Sequence, residues 1–160
     1  HRDLHSFPTR RSSDSIVWQL LEKPDFRGLQ QWVRDLNAVH RTCPPLHELD
    51  FSQEGFQWVD CTDWRQSVIA WLRRGRCEGE FVLCVCNFTP VPREPYRVGV
   101  PCPGHWREIL NSDASVYGGS GMGNAGGMEA EPVPCHGYPQ SLLLTLPPLS
   151  IVVFHLKTPD

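Results

Sequence analysis

No apolar run in this 160-residue sequence approaches the roughly 20 residues that a membrane-spanning helix needs, so no helical membrane anchor is expected. An excess of one charge is also missing. Fifteen Lys and Arg stand against 18 Asp and Glu, a formal charge of −3, which lacks the electrostatic footprint of a nucleic-acid binder. No secretory apolar core precedes the seven cysteines, and an odd number cannot all pair within one chain. A reducing cytoplasm is therefore expected rather than a disulfide scaffold.

Motifs that carry chemistry are equally scarce. Cys84 and Cys86 stand at i, i+2 on a predicted strand, which puts both side chains on one face, but no second pair with ligand spacing exists. Cys43, Cys61, Cys77, Cys102 and Cys135 are scattered, and free cysteine packs as a small apolar residue. The histidines are dispersed without an HExxH pattern, so neither a metal nor a cofactor is expected. The stretch Gly118 to Gly127, GGSGMGNAGG, lacks the Gly-Lys-Ser/Thr and following helix of a phosphate loop, and Glu129 and Glu131 come next. It reads as a long surface loop. The same stretch lacks the strand-to-helix context of a nucleophile elbow.

What the chain does contain is one amphipathic helix followed by many short strands. His1 to Asp14, HRDLHSFPTRRSSD, has no apolar periodicity and reads as disordered. It also resembles translated sequencing-adapter DNA, which implies a non-native segment on a chain that starts within a longer gene. Ile16 to Leu21 form a short apolar run that Pro24 ends. Asp25 then stands as the expected N-cap of a helix over about Phe26 to Thr42, with Leu29, Trp32, Val33, Leu36 and Val39 on one apolar face. Asp35, beside Arg34, falls on its polar side. Pro44 and Pro45 stop it, because proline lacks an N–H and pushes the preceding residue out of the helical region.

Beyond Asp50 lie 12 of the 13 glycines and 11 of the 15 prolines, punctuating runs rich in β-branched and aromatic residues. This predicts an antiparallel β domain. Ser67 to Arg73 and Phe81 to Asn87 form a hairpin with a long loop, and further strands are expected near 56–60, 96–100, 106–110, 141–146 and 151–156. About eight strands over roughly a hundred residues fit a sandwich.

Particular wording then stands out: Arg27-Gly28-Leu29-Gln30, Trp32 to Asn37, Leu46 to Phe51, Glu54 to Trp58, Asn87 to Arg93, Tyr96 to Val100, Trp106 to Asp113, Tyr117 to Gly121 and Ser141 to Leu149. In this order, from about Trp18 to Leu156, the chain resembles bacterial 1,4-α-glucan branching enzymes of the α-amylase superfamily, and covers their C-terminal portion only. NFTPVPR and LTLPPL are its most specific stretches. The family has a histidine where Phe26 stands, a departure near the expected barrel rim.

The resemblance implies a mainly β fold: an antiparallel β-sandwich of the α-amylase C-terminal type, preceded by one amphipathic helix from the end of a (β/α)8 barrel. Residues 15–45 would be the last helical segment of that truncated catalytic barrel, and 46–160 the C-terminal all-β domain. It implies a glycosyltransferase of glycogen biosynthesis, cytoplasmic and monomeric, that moves α-1,4-glucan segments into α-1,6 branches by a retaining mechanism with two carboxyl groups. Those carboxyls belong upstream, so Asp35, Asp50, Asp60 and Asp113 receive no catalytic role and the fragment is expected to be inactive. Its implied partners are α-glucan and the missing barrel. Aromatic faces stack on sugar rings, and Trp58 and Trp106 are the substrate-binding candidates, each beside polar residues; Trp32 and Trp71 are expected in the core. The alternative is a freestanding carbohydrate-binding or structural β module, which would have little use for the helix.

Overall fold

In the computed structural model, which describes residues 17–157, a single long helix lies across a β-sandwich. The expectation for His1 to Asp14 falls outside the described residues. The apolar run settles into a 3-10 turn, Trp18–Glu22, and Lys23 then turns extended to become the N-cap of α1 (Pro24–Thr42). Pro24 therefore opens the helix, where its missing N–H costs nothing and its fixed φ fits the first turn. Asp25 lies inside the first turn, next to the positive end of the helix dipole, and caps nothing. Both points correct the expected start. The end is as expected: α1 stops at Cys43, and Pro44–Leu46 form a short 3-10 turn.

Eight strands follow: β1 (Phe56–Asp60), β2 (Val68–Arg74), β3 (Glu80–Asn87), β4 (Arg93–Val100), β5 (His105–Asn111), β6 (Gly127–Glu129), β7 (Gln140–Leu146) and β8 (Ser150–Lys157). Six form one antiparallel sheet in the order β1-β2-β3-β8-β5-β6, and β4 and β7 pair as a second sheet. The sequence pattern does not reveal β6, which is three residues long and built on glycine-rich chain.

Alternation of side chains divides the larger sheet into two apolar faces. Val68, Ala70, Leu72, Leu83, Val85, Val152 and Phe154 point inward against Val98, Val100, Leu142 and Leu144 of the smaller sheet. Residues one step out of phase, among them Val82, Cys84 and Val153, point to the opposite face and meet Trp32 and Val39 of α1. Both faces of the central strands are thus covered, which is why β3 is nearly continuously apolar and buried. Each fully buried Leu, Val or Phe contributes about 1.5–3 kcal/mol of burial free energy.

Candidate functional site

The exposed aromatic residues of β1 are the best-formed surface for a ligand. Gly55 permits the entry to this strand, because a Cβ there would collide with the Leu49 carbonyl. The Ser52 hydroxyl accepts the Glu54 N–H at 3.3 Å and fixes the turn ahead of it. β1 is an edge strand, paired only with β2, and Trp58 lies directly opposite Trp71. Phe56 and Trp58 share the outer face, with ring centroids 4.9 Å apart at 89°; Trp58 and Trp71 stand 6.2 Å apart at 75°. These edge contacts hold the Trp58 ring while half of the residue stays in solvent, at 50% exposure.

Polar groups flank the aromatic row. Arg73, opposite Phe56, pairs with Asp50 and donates to the Pro45 carbonyl at 3.4 Å. Asp60 does not belong to this row: a register shift after Trp58 sets it opposite the inward-pointing Ala70, where burial opposes its ionisation. The Thr62 N–H and hydroxyl, both at 2.8 Å, outweigh it together with His136 at 3.6 Å, and hold the carboxyl below its usual range. Phe56 and Trp58 thus form an exposed aromatic surface bordered by the Arg73–Asp50 ion pair.

Trp106 is not part of this surface. Its residue position on β5 points into the sandwich, where it is wholly buried beside Phe81, and its indole N–H donates to the Cys102 carbonyl at 3.3 Å. No ring face remains for a ligand, which corrects the expectation for Trp106. Its polar neighbours His105 and Arg107 point the other way, since adjacent strand residues alternate; His105 faces Glu129 at 2.9 Å.

Trp71 and Trp32 both pack against the cluster under α1, partly buried. Cys84 and Cys86 share one face, as their spacing requires, and are buried there. Burial pushes the Cys86 thiol up to about 11, as it does Cys43, and raises Cys84 further. Among the described residues no three His, Cys, Asp or Glu side chains converge as a metal-binding group.

The glycine-rich stretch folds back on its own polar side chains. Asn124 donates to Glu108 at 2.7 Å and to the Thr145 carbonyl at 3.1 Å, and Asn111 donates to the Met122 carbonyl at 2.8 Å. Just ahead of it, Tyr117 reaches α1, and its hydroxyl donates to Asp35 at 2.8 Å. Sequence reasoning missed this contact by placing Asp35 on the solvent side. The available signal was Gly28, one face of α1 away from bulk, where a Cβ would strike the Tyr117 carbonyl.

Residues 58–157 match the family model of the alpha amylase C-terminal all-beta domain. The 1,4-alpha-glucan branching enzyme GlgB of Aquifex aeolicus is 59% identical over 138 residues, which cover 86% of this chain and 22% of that protein. The enzyme of the same name from Aromatoleum aromaticum is 56% identical over 137 residues, 86% of this chain and 21% of that protein. This chain thus spans about a fifth of the length of these relatives. Among solved structures, an inactive MutB double mutant in complex with isomaltulose matches at 20% identity over 87% of this chain and 19% of that chain, with a TM-score of 0.48. On the match over residues 58–157, the chain belongs to the alpha amylase C-terminal all-beta domain family.

Proposed function

We propose that this chain serves as the C-terminal β domain of a 1,4-α-glucan branching enzyme, contributing to glucan transfer without performing it. The observation that carries the reading is 59% identity to a branching enzyme across 86% of the chain. In the whole enzyme, an α-1,4-linked segment is released to a carboxylate nucleophile and passed to a 6-hydroxyl, a retaining transfer in cytoplasmic glycogen synthesis. The carboxyls for that step belong to the catalytic barrel that precedes this segment in such an enzyme.

Two roles fall to the chain itself. The first is to hold α-glucan on the Trp58 face, with Phe56 beside it and the Arg73–Asp50 pair at its end. The second is to support the barrel through α1. Residues Leu29, Val33 and Leu36 are 59%, 48% and 43% exposed although they form an apolar stripe at helical spacing. A freestanding module gains nothing from such a stripe, whereas a helix shared with a barrel needs it. No helix among the described residues is long and apolar enough to cross a membrane.

The glucan role is tested by affinity electrophoresis of the chain through gels containing glycogen. Retardation by glycogen that Trp58→Ala abolishes, at unchanged mobility in a glycogen-free gel, is the expected result. Equal retardation of both proteins would remove Trp58 from the account.

A further inference from the structure

Beyond the Asp60 end of β1 the chain turns back into β2, and this turn carries Trp64, which is 78% exposed. We infer that Trp64 is a second stacking contact for α-glucan, set apart from the Trp58 face and engaged only by chains long enough to reach both. The inference rests on the glucan reading of Trp58 given above.

The turn presents the ring from a fixed backbone. The Asp63 carboxylate accepts the Gln66 N–H at 3.1 Å and, through its other oxygen, the Tyr96 hydroxyl of β4 at 2.9 Å. The Trp64 N–H donates to the Thr62 carbonyl at 2.8 Å, and the Val68 N–H donates to the Asp63 carbonyl at 3.3 Å. The Ser67 hydroxyl closes the turn by donating to the Trp64 carbonyl at 3.4 Å. A segment tied in this way to the smaller sheet has little freedom left to lose when a ligand arrives.

The surroundings of the ring decide what suits it. Arg65 places its guanidinium carbon 5.4 Å from the Trp64 ring centroid, which steadies the indole and sets a cation over one face. Thr62, Arg65 and Gln66 are exposed beside it, and from Thr62 to Ser67 the turn offers no other apolar side chain. The core of a protein-docking patch is apolar, so a single ring among polar groups fits one poorly. A sugar needs an aromatic face with hydrogen-bonding groups at its edge. The indole N–H, the Arg65 guanidinium, the Thr62 hydroxyl and the Gln66 amide are groups of that kind.

The two tryptophans lie within reach of one glucan chain. Trp64 follows Trp58 by six residues, so their Cα atoms stand at most about 22 Å apart. Maltose is too short to rest on both rings, whereas a longer chain is not, and linked contacts add to affinity.

The test is amide chemical-shift titration of this chain with maltose and with maltoheptaose, repeated on Trp58→Ala, Trp64→Ala and Trp64→Phe. Maltoheptaose should shift amides of β1 and of residues 62–67, and maltose those of β1 alone. Trp64→Ala should raise the Kd for maltoheptaose about three- to tenfold and leave that for maltose unchanged. Trp64→Phe keeps a ring in place and should recover most of the loss. A parent-like Kd for maltoheptaose in Trp64→Ala, with binding weakened in Trp58→Ala, overturns the inference and leaves the Trp58 reading intact. Parent-like binding by both alanine variants overturns both. A loss of equal size for maltose in Trp64→Ala would contradict the separation of the two contacts. Shifts at residues 62–67 that follow protein concentration, with no response there to maltoheptaose, would assign Trp64 to a contact between copies of the chain and overturn the inference as well.

Discussion

The Tyr117 hydroxyl donates to Asp35 across 82 residues of sequence, and the same ring meets Trp32 edge-on at a centroid distance of 5.1 Å. With Gly28 lying against the Tyr117 backbone, three successive turns of α1 rest on one residue of the β domain. The Gln31 side-chain amide nitrogen donates to both oxygens of the Asp35 carboxylate, at 2.8 and 3.0 Å. The helix is thus rotated so that this mixed face docks and the Leu29, Val33 and Leu36 stripe stays outward.

Acid should weaken this contact first. The Gln31 hydrogen bond, then that of Tyr117, holds the Asp35 carboxyl below its ordinary value of 3.8 against the effect of burial. A carboxyl depressed in the folded state adds stability above the unfolded pKa, and loses it as pH falls through the folded pKa. The Tyr117→Phe variant should therefore have a lower Tm than the parent at pH 7, and the gap should narrow as the pH drops from 5 toward 3. A pH-independent gap would show that the hydroxyl does not act through the Asp35 charge.

Gly28→Ala separates helix propensity from docking. In a free helix the exchange gains about 1 kcal/mol. Here the new methyl meets the Tyr117 carbonyl, and overpacking of this kind costs about 1–3 kcal/mol. Calorimetry should show a net fall in Tm; a rise would mean that α1 does not sit on Tyr117.

Two tryptophans should respond oppositely to alanine substitution. Trp106→Ala removes a wholly buried indole and should cost about 3–5 kcal/mol by urea titration. Trp58→Ala removes a half-exposed ring and should cost far less, its effect appearing in glycogen affinity. Comparable stability losses would contradict the placement of one ring inside and one outside.

Thiol titration gives an independent check on the sheet faces. Cys61 and Cys77 are exposed, whereas Cys43, Cys84 and Cys86 are buried with raised pKa values that leave little thiolate near pH 8. A disulfide reagent should react promptly with Cys61 and Cys77, and with Cys43, Cys84 and Cys86 only after denaturation. Prompt reaction of Cys84 would mean that α1 leaves the sheet.

How much of this was legible beforehand depended on the period of the signal. The strands are legible as short runs rich in β-branched and aromatic residues set off by glycine and proline, and the helix by its i, i+3, i+4 apolar spacing. The orientation of that helix did not, because the spacing marks Leu29, Val33 and Leu36 as apolar without saying whether the partner lies in this chain. Asp35 looked like a solvent residue because its partner, Tyr117, sits in a distant loop with no periodicity. The same limit applied to the two candidate tryptophans. Trp58 and Trp106 have similar polar neighbours, and only strand register, which turns one outward and the other inward, tells them apart. The three-residue β6 gave no alternation to read, since one of its residues is glycine.

The most direct test of the functional account exchanges this chain for the matching 138 residues of the Aquifex aeolicus branching enzyme and measures α-1,6 linkages formed from amylose. The account predicts branch formation by the joined protein close to that of the parent enzyme, and none by this chain alone. Branching by the isolated chain, or a folded joined protein without branching activity, would contradict it.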